Sequence, residues 1–131
     1  MQPPCSDIKD ILRAELGMPD ALVHLSRLPE TPHELIAVLD QPGMAPEDLI
    51  AYYKPMVQVM IRGNKGQYAN TYATAQNIRN LLHGYGATEV NSTWYIGIWA
   101  TSDILPLGYD GLDRPVFSLN FLIHRSEMEG T

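Results

Sequence analysis

The sequence holds one cysteine, two phenylalanines and no apolar run near the ~20 residues needed to cross a membrane. Lone Cys5 excludes a disulfide within the chain and the paired-cysteine metal motifs, which fits a reducing compartment. It sits beside Pro4 with no evident base, so a thiol nucleophile has little support there. Charge is also scarce, 18% of residues against a usual ~25%. Fewer charges leave more neutral surface to bury in an assembly. What charge there is has one sign: nine Lys and Arg against fifteen Asp and Glu, a net −6. An acidic chain is poorly suited to wrapping nucleic acid, because tight binding needs cations to neutralise phosphates. It can still line a passage to which nucleic acid must not stick. Residues 1–7 lack a basic segment followed by an apolar one, so no secretory signal is expected.

Motifs of catalysis and metal binding are missing too. Gly63-Asn64-Lys65-Gly66 lacks the glycine spacing and the Lys-Ser/Thr of a phosphate-binding loop, and reads as a turn between strand and helix. Arg62 and Lys65 still make a local basic spot able to pair with a partner's carboxylates. None of His24, His33, His83 and His124 has a second ligand at metal-site spacing, and His83 suits the end of a helix through the dipole alone. Asp103, Asp110 and Asp113 do not match a calcium loop; Asp110-Gly111 is an ordinary turn signal, and Asp113-Arg114 can tie the segment back to the body. No nucleophile elbow is present. No catalytic residue, cofactor or metal is therefore expected.

What is present is one domain of 131 residues, long enough to bury a core. A short arm, residues 1–5, leads to a helix with Ser6 as cap, Asp7 in its first turn and Ile8, Ile11, Leu12 and Leu16 on one face. Gly17 and Pro19 end it. Asp20 to Leu28 is a short strand or a connector. Leu35–Leu39, between Pro32 and Gln41-Pro42-Gly43, reads as a buried strand. Ala45-Pro46-Glu47-Asp48 opens a helical turn or belongs to a loop. Pro55–Arg62 alternates, with Val57, Val59 and Ile61 on one side. A second helix, Tyr68–Leu82, carries Tyr68, Tyr72, Ala75, Ile78 and Leu82 as one stripe. Two strands follow, Trp94–Ala100 and Pro115–His124, and then a polar tail, residues 126–131. In the first, alternation sets Trp94, Ile96 and Ile98 opposite Tyr95, Gly97 and Trp99. The long arm Thr101–Arg114 joins them. The fold class is α+β: a mainly antiparallel sheet with two helices packed on one face, in the order α-β-β-α-β-β.

Trp94, Tyr95, Trp99 and Tyr109 concentrate aromatic surface near the arm. They read either as half core and half sheet surface or as an interface patch. A resemblance bears on the choice. The segments Pro55–Arg62, Tyr68–Leu82, Tyr95-Ile-Gly-Ile98, Pro106-Leu-Gly-Tyr-Asp110 and Arg114-Pro-Val-Phe-Ser-Leu-Asn-Phe121 resemble the minor capsid and tail-terminator proteins of tailed bacteriophages, over about residues 33–125. Pro106 to Phe121 is the most specific part. The resemblance implies helices packed on a sheet and a structural protein of the virion tail or neck, assembled in the host cytoplasm. It implies a ring of identical subunits, six in number, capping the tail tube and joining it to a neck protein. DNA would pass through the hole without sequence-specific binding, and like charge along that lumen would repel it.

The candidate contact residues fall in three groups: Arg62, Asn64 and Lys65 in the strand-to-helix turn; Tyr95 and Trp99 on the aromatic strand; and Asp103, Leu105, Tyr109, Asp110, Asp113 and Arg114 in the arm. The alternatives are another neck protein (connector or stopper), a minor capsid protein, a small enzyme, or a monomeric binding module with Trp94–Tyr109 as its groove.

Overall fold

Helix α1 spans Pro4–Leu16 in the computed structural model, which describes residues 1–46 and 52–127. Proline suits the first helical position, since the N–H it lacks would have no intrahelical partner there. The helix thus starts before Ser6, whose N–H donates to the Pro3 carbonyl at 3.0 Å. Ser6 is not the cap, and the arm shortens to residues 1–3. Asp7 does lie in the first turn, and Gly17 closes the helix in the left-handed region at φ 65°.

A three-residue 3-10 turn, Asp20–Leu22, leads into β1, Val23–Leu25. Next come β2 (Leu35–Met44), β3 (Tyr52–Arg62), α2 (Tyr68–Leu82), β4 (Thr88–Val90), β5 (Thr93–Ala100), β6 (Leu105–Tyr109) and β7 (Pro115–Glu127). The expected order α-β-β-α-β-β thus lacked β1 as a definite strand, β4 and β6. The strand expected over Leu35–Leu39 continues through Pro42 and Gly43, where the register with β3 shifts. The helical turn considered from Ala45 reaches into residues 47–51, outside the described residues. Ser126 and Glu127, expected in a polar tail, extend β7; residues 128–131 are also outside the described residues.

The sheet runs β1-β2-β3-β7-β5-β4, and among the described residues only β1 and β2 pair in parallel. β7 is its hub. One of its edges pairs with β3 along almost its whole length, Val116 to Ser126. The other edge is shared: β5 takes Phe121–Glu127, and β6 takes Pro115, Phe117 and Ser118. The arm between β5 and β7 is therefore not a free extension. Its middle folds back as a strand on β7.

One core cluster joins Ile8, Ile11 and Leu12 of α1 and Ala75, Ile78 and Leu82 of α2 to the inward residues of the sheet. Those are Ile36 and Val38 of β2, Val57, Val59 and Ile61 of β3, and Phe117, Leu119, Phe121 and Ile123 of β7. In α2, Thr71 is buried, whereas Tyr68, expected in the stripe, is exposed. Polar groups pin α1 to the sheet. The Tyr95 hydroxyl donates to Asp7 Oδ2 at 2.6 Å, Asn91 Nδ2 to Asp7 Oδ1 at 2.8 Å, and Arg125 Nη1 to the Gln2 carbonyl at 2.9 Å and to Asp7 Oδ2 at 3.3 Å. Burial, reinforced by the bond to Asp7, pushes the Tyr95 hydroxyl far above the ordinary tyrosine range.

Candidate functional site

The surface that stands out is β6. All five of its residues are exposed. Leu105, Leu107 and Tyr109 in the strand and Leu112 just beyond it are large apolar side chains left in solvent, Tyr109 at 57% and Leu107 at 51%. β7 is its one strand partner among the described residues. Such an apolar edge is the kind of surface that protein contacts cover.

Both ends of β6 are moored. Before it, Asp103 Oδ1 accepts from Arg79 Nη1 of α2 at 2.8 Å and from the Ile104 N–H at 2.7 Å, and the Ile104 side chain is buried in the core. After it, Asp110 accepts from Arg114 Nε at 2.8 Å and pairs with its Nη2 at 2.7 Å; it also accepts the N–H groups of Leu112 and Arg114 at 3.0 Å. These donors, the Arg114 guanidinium first, lower the Asp110 carboxyl to about 2. The tie to the body thus runs from Asp110 to Arg114, four residues apart, and not from Asp113. Asp113 stands exposed at φ 62°.

A second surface adjoins the first. Directly opposed residues of an antiparallel pair point to the same side. The register therefore lays Gln41, Met56, Leu122 and Trp99 in one outward row across β2, β3, β7 and β5. A second row is Leu39, Gln58 and Asn120, and a third is Ala37, Met60, Ser118 and Leu105. No charged side chain occurs in the three rows, but Ala37 and Ser118 in them are buried, and the next row on the same side, Leu35, Arg62 and Val116, is buried too and holds a cation. The core residues of both helices join the inward set, so among the described residues no helix covers these rows. Trp99 lies across Gly97, where an added Cβ would come within 2.3 Å of the indole, and its ring meets His124 edge-on at 5.0 Å.

The residues singled out from sequence divide sharply. Arg62 is buried; its Nε donates to the His33 carbonyl at 3.0 Å and its Nη2 to the Pro29 and Pro32 carbonyls at 2.6 and 2.7 Å. Burial, then the charge of Arg114, lowers its pKa. Arg114 is buried as well, and its Nη1 donates to the Glu30 carbonyl at 2.6 Å. The two guanidiniums hold the 29–33 loop through its carbonyls. Tyr95 is fully buried. A register shift between Tyr95 and Gly97 is the reason: it turns Tyr95 and Ile98 inward and leaves Trp94, Ile96 and Trp99 outside, undoing the expected pairing of faces. Asn64 is half-buried and donates to Glu34 Oε1 at 3.2 Å; Lys65 is exposed. Trp99, Asp103, Leu105, Tyr109 and Asp113 are at the surface, and Asp110 is half-buried. Sequence reasoning passed over Leu107, Leu112 and Ile96, although Leu107 and Leu112 lay inside the arm it had marked; Trp94, exposed here, had been named in the aromatic patch.

No three His, Cys, Asp or Glu side chains converge as metal ligands among the described residues. A shallow groove lies between the end of α2 and the β5–β6 loop. Its histidine is engaged, His83 Nδ1 accepting the Ala100 N–H at 3.0 Å, and its Arg79 is paired with Asp103. Cys5 is buried. Burial and the nearby Asp40 carboxylate push its thiol up to about 11, away from the thiolate a nucleophile needs.

An α+β domain that exposes an apolar strand, with its strongest polar groups spent on internal ties, has the surface expected of an assembly subunit. Comparison with known proteins gives the family. A model described as "Bacteriophage tail terminator protein" matches residues 9–127, and the chain belongs to that family. It is thus a structural protein of the phage tail or neck and a component of the virion. Among solved structures the chain is similar to one titled "Virion of native gene transfer agent (GTA) particle", with a TM-score of 0.72, 14% identity and 95% of each chain covered. At that identity the likeness is one of fold. Comparison with the curated proteins finds no match.

Proposed function

We propose that this chain terminates the tail tube as a ring of identical subunits, six in number, and links the tube to the neck. Membership of the terminator family is the observation that carries this reading, and the exposed apolar β6 supports it by offering a surface for a neighbour. The mechanism is geometric. One face of the ring matches the end of the tube and the other does not, so no further tube subunit can add. A head-to-tail contact closes into a ring when the rotation per subunit divides the circle. Assembly takes place in the host cytoplasm; DNA passes through the hole on ejection, and a chain of net charge −6 attracts it little.

The test is a change confined to the exposed side chains of β6. Leu107→Asp with Tyr109→Asp should leave circular dichroism and thermal unfolding close to wild type, since both side chains are solvated. The same pair should abolish rings in electron micrographs of the chain mixed with tail tubes, and tubes of uncontrolled length should appear. Wild-type rings and tube lengths from the double variant would overturn the role given to β6. Wild-type chain that leaves tube length unregulated would overturn the terminator reading itself.

A further inference from the structure

Asp110-Gly111 is the sequence's one Asp-Gly pair, and Asn-Gly does not occur. Glycine has no Cβ to keep its nitrogen away from the preceding side chain. That nitrogen can attack the aspartyl Cγ. A C–N bond forms, the carboxyl hydroxyl leaves with the amide proton as water, and a five-membered succinimide results. Water then opens the ring at either carbonyl. One opening restores aspartate. The other leaves isoaspartate, whose main chain runs through Cβ and Cγ and is one carbon longer. The first step uses the neutral acid, because an ionised carboxylate is a poor electrophile with no hydroxyl to lose.

The attacking atom is free in this fold. The Gly111 N–H has no hydrogen-bond partner among the described residues. Nor does the turn need glycine there. Gly111 is outside the left-handed region, and no heavy atom lies within 4 Å of where a Cβ would sit.

The electrophile is held. Oδ1 of Asp110 accepts the N–H groups of Leu112 and Arg114, both at 3.0 Å, and Oδ2 faces Arg114 Nε at 2.8 Å and Nη2 at 2.7 Å. Four donors orient the carboxyl and favour its ionised form. The main chain closes around it: the Asp110 N–H donates to the Arg114 carbonyl at 3.0 Å, and the Asp113 N–H to the Asp110 carbonyl at 2.9 Å. Arg114 cannot follow a carboxyl that swings away. Its side chain is 4% exposed, and its Nη1 is spent on the Glu30 carbonyl at 2.6 Å and His33 Nδ1 at 3.3 Å.

We infer that Asp110-Gly111 is a site of succinimide and isoaspartate formation that the folded chain holds shut, with Arg114 as the positioning residue. The site opens when β6 and its turn leave β7, or before they have docked. The damage then falls on the exposed strand. Isoaspartate at 110 lengthens the turn beside the Tyr109–Pro115 pair, so β6 cannot recover its register. A virion component persists beyond the cell that made it, out of reach of repair, so its own fold has to guard its most labile link.

The test compares the folded chain, the chain unfolded in guanidinium chloride, and a synthetic peptide of residues 106–116, all kept warm at mildly acidic pH. Isoaspartate is counted by enzymatic methylation and located by electron-transfer mass spectrometry. The unfolded chain and the peptide should form it at 110 roughly tenfold faster than the folded chain, or more, since the folded carboxyl is held more than one pH unit below its ordinary range. Gly111→Ala, which the turn accommodates, should remove most of the signal from the unfolded chain. Arg114→Gln, shown to be folded by circular dichroism, should raise the folded rate severalfold. Arg114→Lys, which keeps the charge without the two-point hold, should fall between, and serves alone where the first variant does not fold. Equal rates in folded and unfolded wild type would overturn the protection. A folded Arg114 variant as slow as wild type would overturn the role of Arg114. Undiminished isoaspartate in unfolded Gly111→Ala would overturn the site.

Discussion

Three of the nine cationic side chains, Arg62, Arg114 and Arg125, are spent inside the molecule. Arg62 and Arg114 brace a loop through its carbonyls, and Arg125 meets buried Asp7. Tyr95 and Asn91 are the neutral members of that last network. Tyr95→Phe removes its donor while Arg125 and Asn91 still satisfy Asp7, so the expected cost is about 1–3 kcal/mol by denaturant unfolding. The Asp110 carboxyl titrates at about 2 when folded, below the ordinary 3.8. A depressed carboxyl stabilises the fold fully above its unfolded pKa and loses that contribution as pH falls through the folded value. The tie of β6 to Arg114 should therefore hold above about pH 4 and fail towards pH 2. Asp110→Asn should flatten the stability-against-pH curve across that window. An unchanged curve would show that Arg114 does not hold Asp110 as described.

Legibility in the sequence varied element by element, for physical reasons. Helix α2 was readable to its bounds, because a single stripe ran between a Gly-rich turn and Gly84. β3 and β7 alternated cleanly where they pair with each other. The start of α1 was misread because Ser6 looked like a cap while Pro4 already satisfied the needs of a first turn. In β5 strict alternation failed at the Tyr95–Gly97 shift, since an extra residue in a strand exchanges the faces beyond it. β6 was invisible as a strand: Pro106 and Gly108 break every pattern, and only pairing with β7 fixes it. Of the residues marked as candidate contacts, Leu105 and Tyr109 stand in solvent as expected of the arm, whereas Arg62 and Arg114 were assigned to the outside when burial claims them. The kink in β5 is testable. Gly97→Ala places a methyl against the Trp99 indole, which should cost about 1–3 kcal/mol and shift tryptophan fluorescence as the ring leaves His124. Fluorescence identical to wild type would contradict that packing.

On the scale of the molecule, the balance of charge governs what the chain avoids as much as what it binds. With net −6 and three cations buried, no duplex DNA complex should appear in gel shifts at roughly physiological salt. Retarded DNA at micromolar protein would be inconsistent with a passage that lets DNA slide. The same acidity makes indiscriminate clustering of copies unfavourable and leaves association to the few places where sign or neutrality permits it.

The hub position of β7 has a consequence for synthesis. β3 emerges from the ribosome with one edge paired to β2, but its other edge waits for Val116 to Ser126. β5 and β6 wait for the same strand. Long-range pairings of this kind form late. The exposed strand β6 therefore takes shape only after the last strand has docked, and a chain truncated before Pro115 should lack it.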